Sequence, residues 1–258
     1  MNIIKHITKY PIKGLSGESL ENVFLQTNQV LPGDREFAFA RSNVNYDPEN
    51  PVYLKKTNFL ALVKEEKLAK LKTEFNSSSQ QLKIKIDNQI VLNEKLINQE
   101  NISNVEYFFQ KYLNLSHEEK PMLVRGMENK TSRLKHSFSD LPDKVISIIN
   151  LKSIQDFESK LDRQISPTRF RANFLIDGNE PWEEFDWIGK KIALGSSILK
   201  VFKRTQRCGA TNVNPENAER DINIPNEIKN NYGHFDLGVY AQVIKGGLVS
   251  INDRLEII

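Results

Sequence analysis

The stretch Ile198-Leu199-Lys200-Val201-Phe202-Lys203-Arg204-Thr205-Gln206-Arg207-Cys208-Gly209 decides how this chain reads. Its first five residues are apolar and β-branched enough for a strand, and the chain then turns basic and reaches its only cysteine. The cluster Lys203 to Gly209 therefore sits where the chain leaves a sheet. Arg207 favours the thiolate of its neighbour, which suits a metal ligand or a nucleophile. Gly209 lets the backbone approach a ligand closely. A small, inert, buried thiol is the plain alternative.

Outward from this segment the pattern is strand after strand. Upstream lie Val145 to Ile149, a short helix opened by Ser153 with Asp156 three residues on, Ala172 to Ile176, and Lys191 to Leu194. Downstream come Val239 to Ile244, a Gly246-Gly247 turn, Leu248 to Ile251 and Leu255 to Ile258. The first third adds Ile3 to Tyr10, Leu20 to Gln26, Glu36 to Ala40 and Leu82 to Ile86. Ser103 and Glu106 carry the spacing of a capping box, which predicts a helix closing the first unit near Leu115. Phe59 to Phe75, rich in Leu, Lys and Glu, favours helix by propensity. The division expected is an N-terminal β unit over 1–115, a linker or mobile loop over 116–135, and a second β unit over 136–258. Mainly β structure with some helix, built as a barrel or a sandwich, is the fold class this implies.

Composition bounds the function. With 36 basic and 33 acidic side chains the net charge is only +3, which supplies no broad nucleic-acid surface. One cysteine makes no intramolecular disulfide, no cysteine-rich zinc site and no iron–sulfur cluster. No run reaches the roughly 18 apolar residues of a membrane span. Met1 to His6 carries charge where a secretory leader needs an apolar core, so a cytoplasmic protein is expected. No nucleotide-binding glycine motif and no paired-histidine metal motif occurs.

Two further clusters carry charge at strand ends. Pro167-Thr168-Arg169-Phe170-Arg171-Ala172-Asn173 runs into a strand, and alternation puts Arg169, Arg171 and Asn173 on one face, a receptor for a phosphate or another anion. Tyr10-Pro11-Ile12-Lys13-Gly14 and Leu31-Pro32-Gly33-Asp34-Arg35 each present a basic residue beside Pro or Gly, and singly each is ordinary turn chemistry.

Taken in order, these motifs resemble the MOSC proteins that carry an N-terminal MOSC-associated β-barrel domain. That subgroup includes the mitochondrial amidoxime-reducing component and its bacterial relatives. The resemblance runs through Tyr10-Pro11-Ile12-Lys13, Gly33-Asp34-Arg35, Ser139-Asp140, Arg169 to Asn173, Arg207-Cys208, and the closing Tyr232-Gly233-His234 to Tyr240. It implies a MOSC-type β-barrel after an N-terminal β-barrel-like domain, with Phe59 to Phe75 largely strand. It also implies that Cys208 ligates molybdenum of a molybdopterin cofactor, with Lys13, Gly14, Arg35, Ser139, Arg169, Arg171, Asn173 and Arg207 holding the cofactor's organic part and phosphate. Gly14 stands where relatives often have Ser, Ala172 replaces Pro, and Gln206 replaces a frequent Ser. The activity implied is reduction of small N-hydroxylated or N-oxide substrates, with electrons from a ferredoxin, flavoprotein or haem protein. A non-catalytic cofactor or sulfur carrier, or a binder of another phosphorylated ligand, would use the same residues.

Overall fold

In the computed structural model, which describes residues 2–128 and 136–258, strand-forming patterns give fifteen strands among the described residues, with three α-helices. The first part holds β1 (Asn2–Lys9), β2 (Glu18–Leu20), β3 (Asn22–Leu25) and β4 (Phe37–Ala40). A meander follows as β5 (Lys72–Asn76), β6 (Gln81–Ile86) and β7 (Gln89–Lys95), then helix α1 (Gln99–Tyr112) and β8 (Met122–Arg125). The second part holds β9 (Ile146–Asn150), α2 (Leu151–Leu161), β10 (Phe174–Asp177), β11 (Lys191–Leu194) and β12 (Ser197–Gln206). It ends with α3 (Ile224–Tyr232), β13 (Asp236–Lys245), β14 (Gly247–Ser250) and β15 (Arg254–Ile257). None of these helices is long and apolar enough to cross a membrane.

Seven strands close into a barrel in the order β10-β9-β13-β12-β11-β15-β1, with β1 returning to β10. Only β10 and β9 run parallel; every other pairing in the ring is antiparallel. Closure removes the exposed sheet edges. Every second residue turned inward builds the core, with Ile4, Ile148, Phe174, Ile192, Leu199, Val201, Val239 and Leu255 fully or nearly buried. Outside the barrel, α2 and α3 cover a second core of Ile154, Phe157, Phe170, Ile224 and Ile228. This is the mainly β fold, with some helix and a barrel, that the sequence predicts.

The N-terminal strands form a three-stranded sheet, β5-β6-β7, and a two-stranded pair, β4-β8, around α1. Phe39 meets Phe109 of α1 at 3.9 Å between ring centroids, in a core that includes Leu60, Leu68, Leu82 and Val105. The units expected at 1–115 and 136–258 are interlocked. β1, at the start of the chain, is a stave of the barrel, and β3 pairs with β14.

Several local expectations are corrected. Phe59 to Phe75 is strand only from Lys72; the rest is turns with a short 3-10 helix at Glu66–Lys70. Phe59, Leu60, Ala61 and Leu62 are all buried, so they cannot alternate as a strand with one solvated face. Helix α1 starts at Gln99, capped by the Asn98 side chain accepting from the Asn101 N–H. Ser103 is interior to that helix, and Glu106 instead accepts from the Leu123 N–H. A true capping box stands at Ser116 and Glu119, inside the segment expected to be a linker, and β8 pairs with β4 just beyond it. Residues 129–135 of that expected linker lie outside the described residues.

Because β1 is a stave, the fragment 136–258 lacks one wall of its own barrel and leaves the β10 and β15 edges unpaired. We expect that fragment to show no cooperative unfolding transition by circular dichroism, and a peptide of residues 1–20 added in trans to restore one. A sharp transition of the fragment alone would overturn this.

Candidate functional site

β1 ends at Lys9, and the chain then runs beside the segment that enters β4. The Tyr10 N–H donates to Asp34 Oδ1 at 2.8 Å, and the Arg35 N–H donates to the Tyr10 carbonyl at 2.6 Å. The Lys13 N–H donates to the Phe37 carbonyl at 2.8 Å. The two N-terminal turns, unremarkable singly, are thus one structure. Gly14 has φ +84°, with the Leu60 carbonyl 3.1 Å from where a Cβ would stand. A side chain in that left-handed, crowded position would be strained, which accounts for glycine at this place in the chain.

The Tyr10 ring carries two guanidiniums, with Arg35 at 4.5 Å and Arg171 at 4.4 Å from its centroid. Arg35 Nη1 donates to Asp34 and its Nη2 to the Arg171 carbonyl at 2.9 Å. Arg171 Nη1 donates to the Leu15 carbonyl at 2.5 Å, while its Nη2 is buried without a partner. Burial and the nearby Arg35 charge push the Arg171 guanidinium down to about 10. Lys13 is lowered by burial, against the pull of Asp140, to which its Nζ donates at 2.5 Å; the Phe138 carbonyl takes a second bond at 2.9 Å.

The face reading of Arg169, Arg171 and Asn173 is corrected in its geometry. Pro167–Phe170 is a 3-10 turn and Arg171 is left-handed at φ +53°, so no strand alternation operates there. The three side chains nevertheless reach one cavity. Arg169 is buried, with Nη1 on the Asn212 carbonyl and Nη2 on Asp221, while its Nε is unpartnered. Asn173 works as a staple. Its Oδ1 accepts from both the Ser147 N–H and the Ser147 hydroxyl, and its Nδ2 donates to the Thr8 carbonyl. One amide N–H remains for a ligand.

β12 delivers Arg207 and Cys208. Arg207 Nε donates to the Leu237 carbonyl at 2.8 Å and its Nη1 to the Phe170 carbonyl at 3.0 Å. Burial pushes this guanidinium down to about 10 as well. Gly238 lets it pass: at φ +78°, a Cβ there would come within 3.2 Å of Arg207 Nη2 and 2.5 Å of Ile149. Cys208 is half-buried and free. Ser139 donates its hydroxyl to the Leu141 carbonyl at 2.7 Å and keeps its lone pairs.

Lys13, Gly14, Arg35, Ser139, Arg169, Arg171, Asn173, Arg207 and Cys208, from five separate segments, all line one cavity of about 130 Å³. A chamber of about 560 Å³ adjoins it and shares Gly14, Leu62, Arg169 and Arg171 as a common wall. The cavity is lined by six basic side chains against the carboxylates of Asp34 and Asp140. Three unpartnered buried polar atoms, Arg169 Nε, Arg171 Nη2 and Thr205 Oγ1, belong to its lining. An arrangement of this kind seeks an anion.

Sequence reasoning missed Lys56. Burial opposes its charge, but Asp140 at 4.0 Å and a side-chain hydrogen bond with Cys208 hold its pKa above the ordinary lysine value. No local motif marks it, since Lys55-Lys56 precedes a segment without periodicity. Tyr240, on β13, also lines the cavity, and burial raises its phenol.

Among known families, residues 133–256 match the model described as "MOSC domain". Mitochondrial amidoxime-reducing component 1 of Mus musculus is 29% identical over 85 residues, 33% of this chain and 24% of that protein. Its counterpart from Homo sapiens is 28% identical over 89 residues, 34% of this chain and 26% of that protein. Mitochondrial amidoxime reducing component 2 of Bos taurus is 23% identical over 120 residues, 42% of this chain and 35% of that protein. The matches thus span about a quarter to a third of these curated relatives. Among solved structures, the YuaD protein from Bacillus subtilis covers 100% of this chain and 96% of its own at TM-score 0.45 and 11% identity. YiiM from Geobacillus stearothermophilus covers 44% of this chain and 53% of its own at TM-score 0.36 and 18% identity.

The staple at Asn173 makes a prediction. Asn173→Ala removes three hydrogen bonds that join β1, β9 and the approach to β10, at a cost of about 1–3 kcal/mol. Urea unfolding should show a lower midpoint at an unchanged slope. A change under about 0.5 kcal/mol would mean the staple is idle.

Proposed function

We propose, from the match of residues 133–256 to the MOSC domain model, that this chain holds a molybdenum cofactor and reduces small N-hydroxylated or N-oxide compounds. The observation that carries the reading is the set of unpartnered buried donors and surplus cations gathered around the only thiol in the chain. Among the described residues no group of three or more His, Cys, Asp or Glu side chains could hold a metal. A metal beside Cys208 therefore needs its other soft donors from an organic ligand, and a pterin dithiolene with a phosphate supplies them. Once bound, that cofactor supplies two-electron oxygen-atom chemistry at the metal.

The residues divide the work by chemistry. Cys208 gives the protein sulfur. Arg171 Nη2 and Arg169 Nε offer unspent N–H groups to the anionic end, and Lys13 and Arg35 add charge from the N-terminal unit. Arg207 is spent mainly on carbonyls and acts by tying Leu237 of β13 and Phe170 of the 167–170 turn to the segment that carries Cys208. Lys56, hydrogen-bonded to Cys208 and 4.0 Å from Asp140, would hold a proton beside the sulfur. Reduction of an N–O bond to N–H and water consumes two electrons and two protons. With one cysteine the chain builds no iron–sulfur relay, so we assign the electrons to a separate ferredoxin, flavoprotein or haem protein.

Protein made in a host that synthesises the cofactor should contain molybdenum in near-stoichiometric amount by elemental analysis, and should reduce an amidoxime with an artificial donor. Metal without turnover would leave the carrier reading standing; absence of metal would end both. Cys208→Ser should keep its melting temperature and lose the metal or all turnover, and turnover at the parent rate would defeat the mechanism. Arg171→Ala should change unfolding free energy by less than about 1 kcal/mol, because the buried charge carries its own desolvation cost. The same variant should lower cofactor content severalfold, and unaltered occupancy would remove Arg171 from the anion site.

A further inference from the structure

The loop that follows Cys208 is fastened to the wall of the cavity by a side chain that no motif marks. Val213 and Arg220 form an isolated antiparallel bridge, and the Asn214 N–H donates to the Glu219 carbonyl at 2.7 Å. The loop therefore doubles back and returns Arg220 to the residues next to the cysteine. There, Arg220 Nη1 donates to the Gly209 carbonyl at 3.0 Å, immediately after Cys208. Its Nη2 donates to the Leu62 carbonyl at 2.8 Å and the Val63 carbonyl at 3.1 Å, and lies 3.2 Å from Glu66. Leu62 and Val63 are cavity wall.

From this geometry we infer that Arg220 is a positioning residue for the site, setting the spacing between Cys208 and the wall of residues 61–66. The wall is braced on its other side by a second guanidinium. Arg41 pairs with Glu65, and Glu65 Oε2 accepts from the Ala61 N–H at 3.0 Å. A turn held from both ends by guanidiniums has little freedom to open. Lys72 Nζ, on the Pro215 carbonyl at 2.7 Å, is a second tie between the N-terminal unit and the same loop, but it reaches neither the wall nor Gly209. Among the described residues, Arg220 alone has hydrogen bonds to both.

The assignment is independent of the molybdenum reading, because it concerns the apo chain and is tested there. Cys208 is the only thiol, so its alkylation reports on this site without ambiguity. In full-length, cofactor-free protein, iodoacetamide should modify Cys208 at least about fivefold faster in Arg220→Ala than in the parent, the factor expected when one net hydrogen bond is lost. Amide exchange over residues 61–66 should quicken in parallel. Arg220→Lys, which keeps a donor but reaches fewer carbonyls, should fall between the two. Arg163→Ala removes another contact to this loop, at Asp221, without touching the wall, and should alkylate at the parent rate. A folded Arg220→Ala within twofold of the parent overturns the inference, and so does equal acceleration by Arg163→Ala. Should Arg220→Ala not fold, Arg220→Gln carries the same measurement and the same thresholds.

Discussion

Two guanidinium groups buried against one tyrosine ring are the constraint on which the site is built. Arg35 and Arg171 both lie within 4.5 Å of the Tyr10 centroid, so their charges are no more than about 9 Å apart. At the effective dielectric of a protein interior that is about 2 kcal/mol of repulsion. The ring face offsets part of it, and Asp34 offsets more on the Arg35 side. Arg171 has no carboxylate in hydrogen-bond contact, and one of its nitrogens has no partner. Both arginines also adopt left-handed backbone, at φ +47° and +53°, which costs roughly 1–3 kcal/mol each. A fold that keeps two strained, like-charged residues face to ring has a use for their charge.

The barrel makes that arrangement possible. β1 is the stave whose end delivers Tyr10, and its antiparallel pairing with β10 sets Tyr10 beside Arg171. Asn173 locks the same corner by tying Thr8 to Ser147. One wall of the cavity thus stands on paired strands, while the opposite wall, residues 61–66, is held by side-chain clamps. Rigid on one side and strapped on the other, the site can keep its charges fixed and still admit a ligand.

How much of this was legible follows from what sequence periodicity can encode. The strands of the barrel were readable because inward positions must be apolar and the period is two. Cys208 was readable because a lone thiol beside Arg207 is chemically conspicuous. Lys13 and Arg35 were not convincing singly, and only their order with Arg171 and Cys208 gave them meaning. Lys56 and Arg220 were invisible: each acts through contacts that cross the chain, and neither sits on a periodic segment. Segment 59–75 misled in both directions. Its Lys and Glu content suggested helix and the family resemblance suggested strand, yet four consecutive buried residues suit neither element with a solvated face.

Gly14 shows how a departure from a family pattern can be read physically. A serine at this place would bring a hydroxyl to an anionic ligand, so its loss looks like a weakened site. At φ +84°, with the Leu60 carbonyl and Leu68 crowding the missing Cβ, this backbone instead selects glycine. Gly14 lines the same cavity as the donors Arg171 Nη2 and Arg169 Nε. With glycine here this point of the wall carries no side-chain hydroxyl, and the six basic side chains that line the cavity do not depend on one.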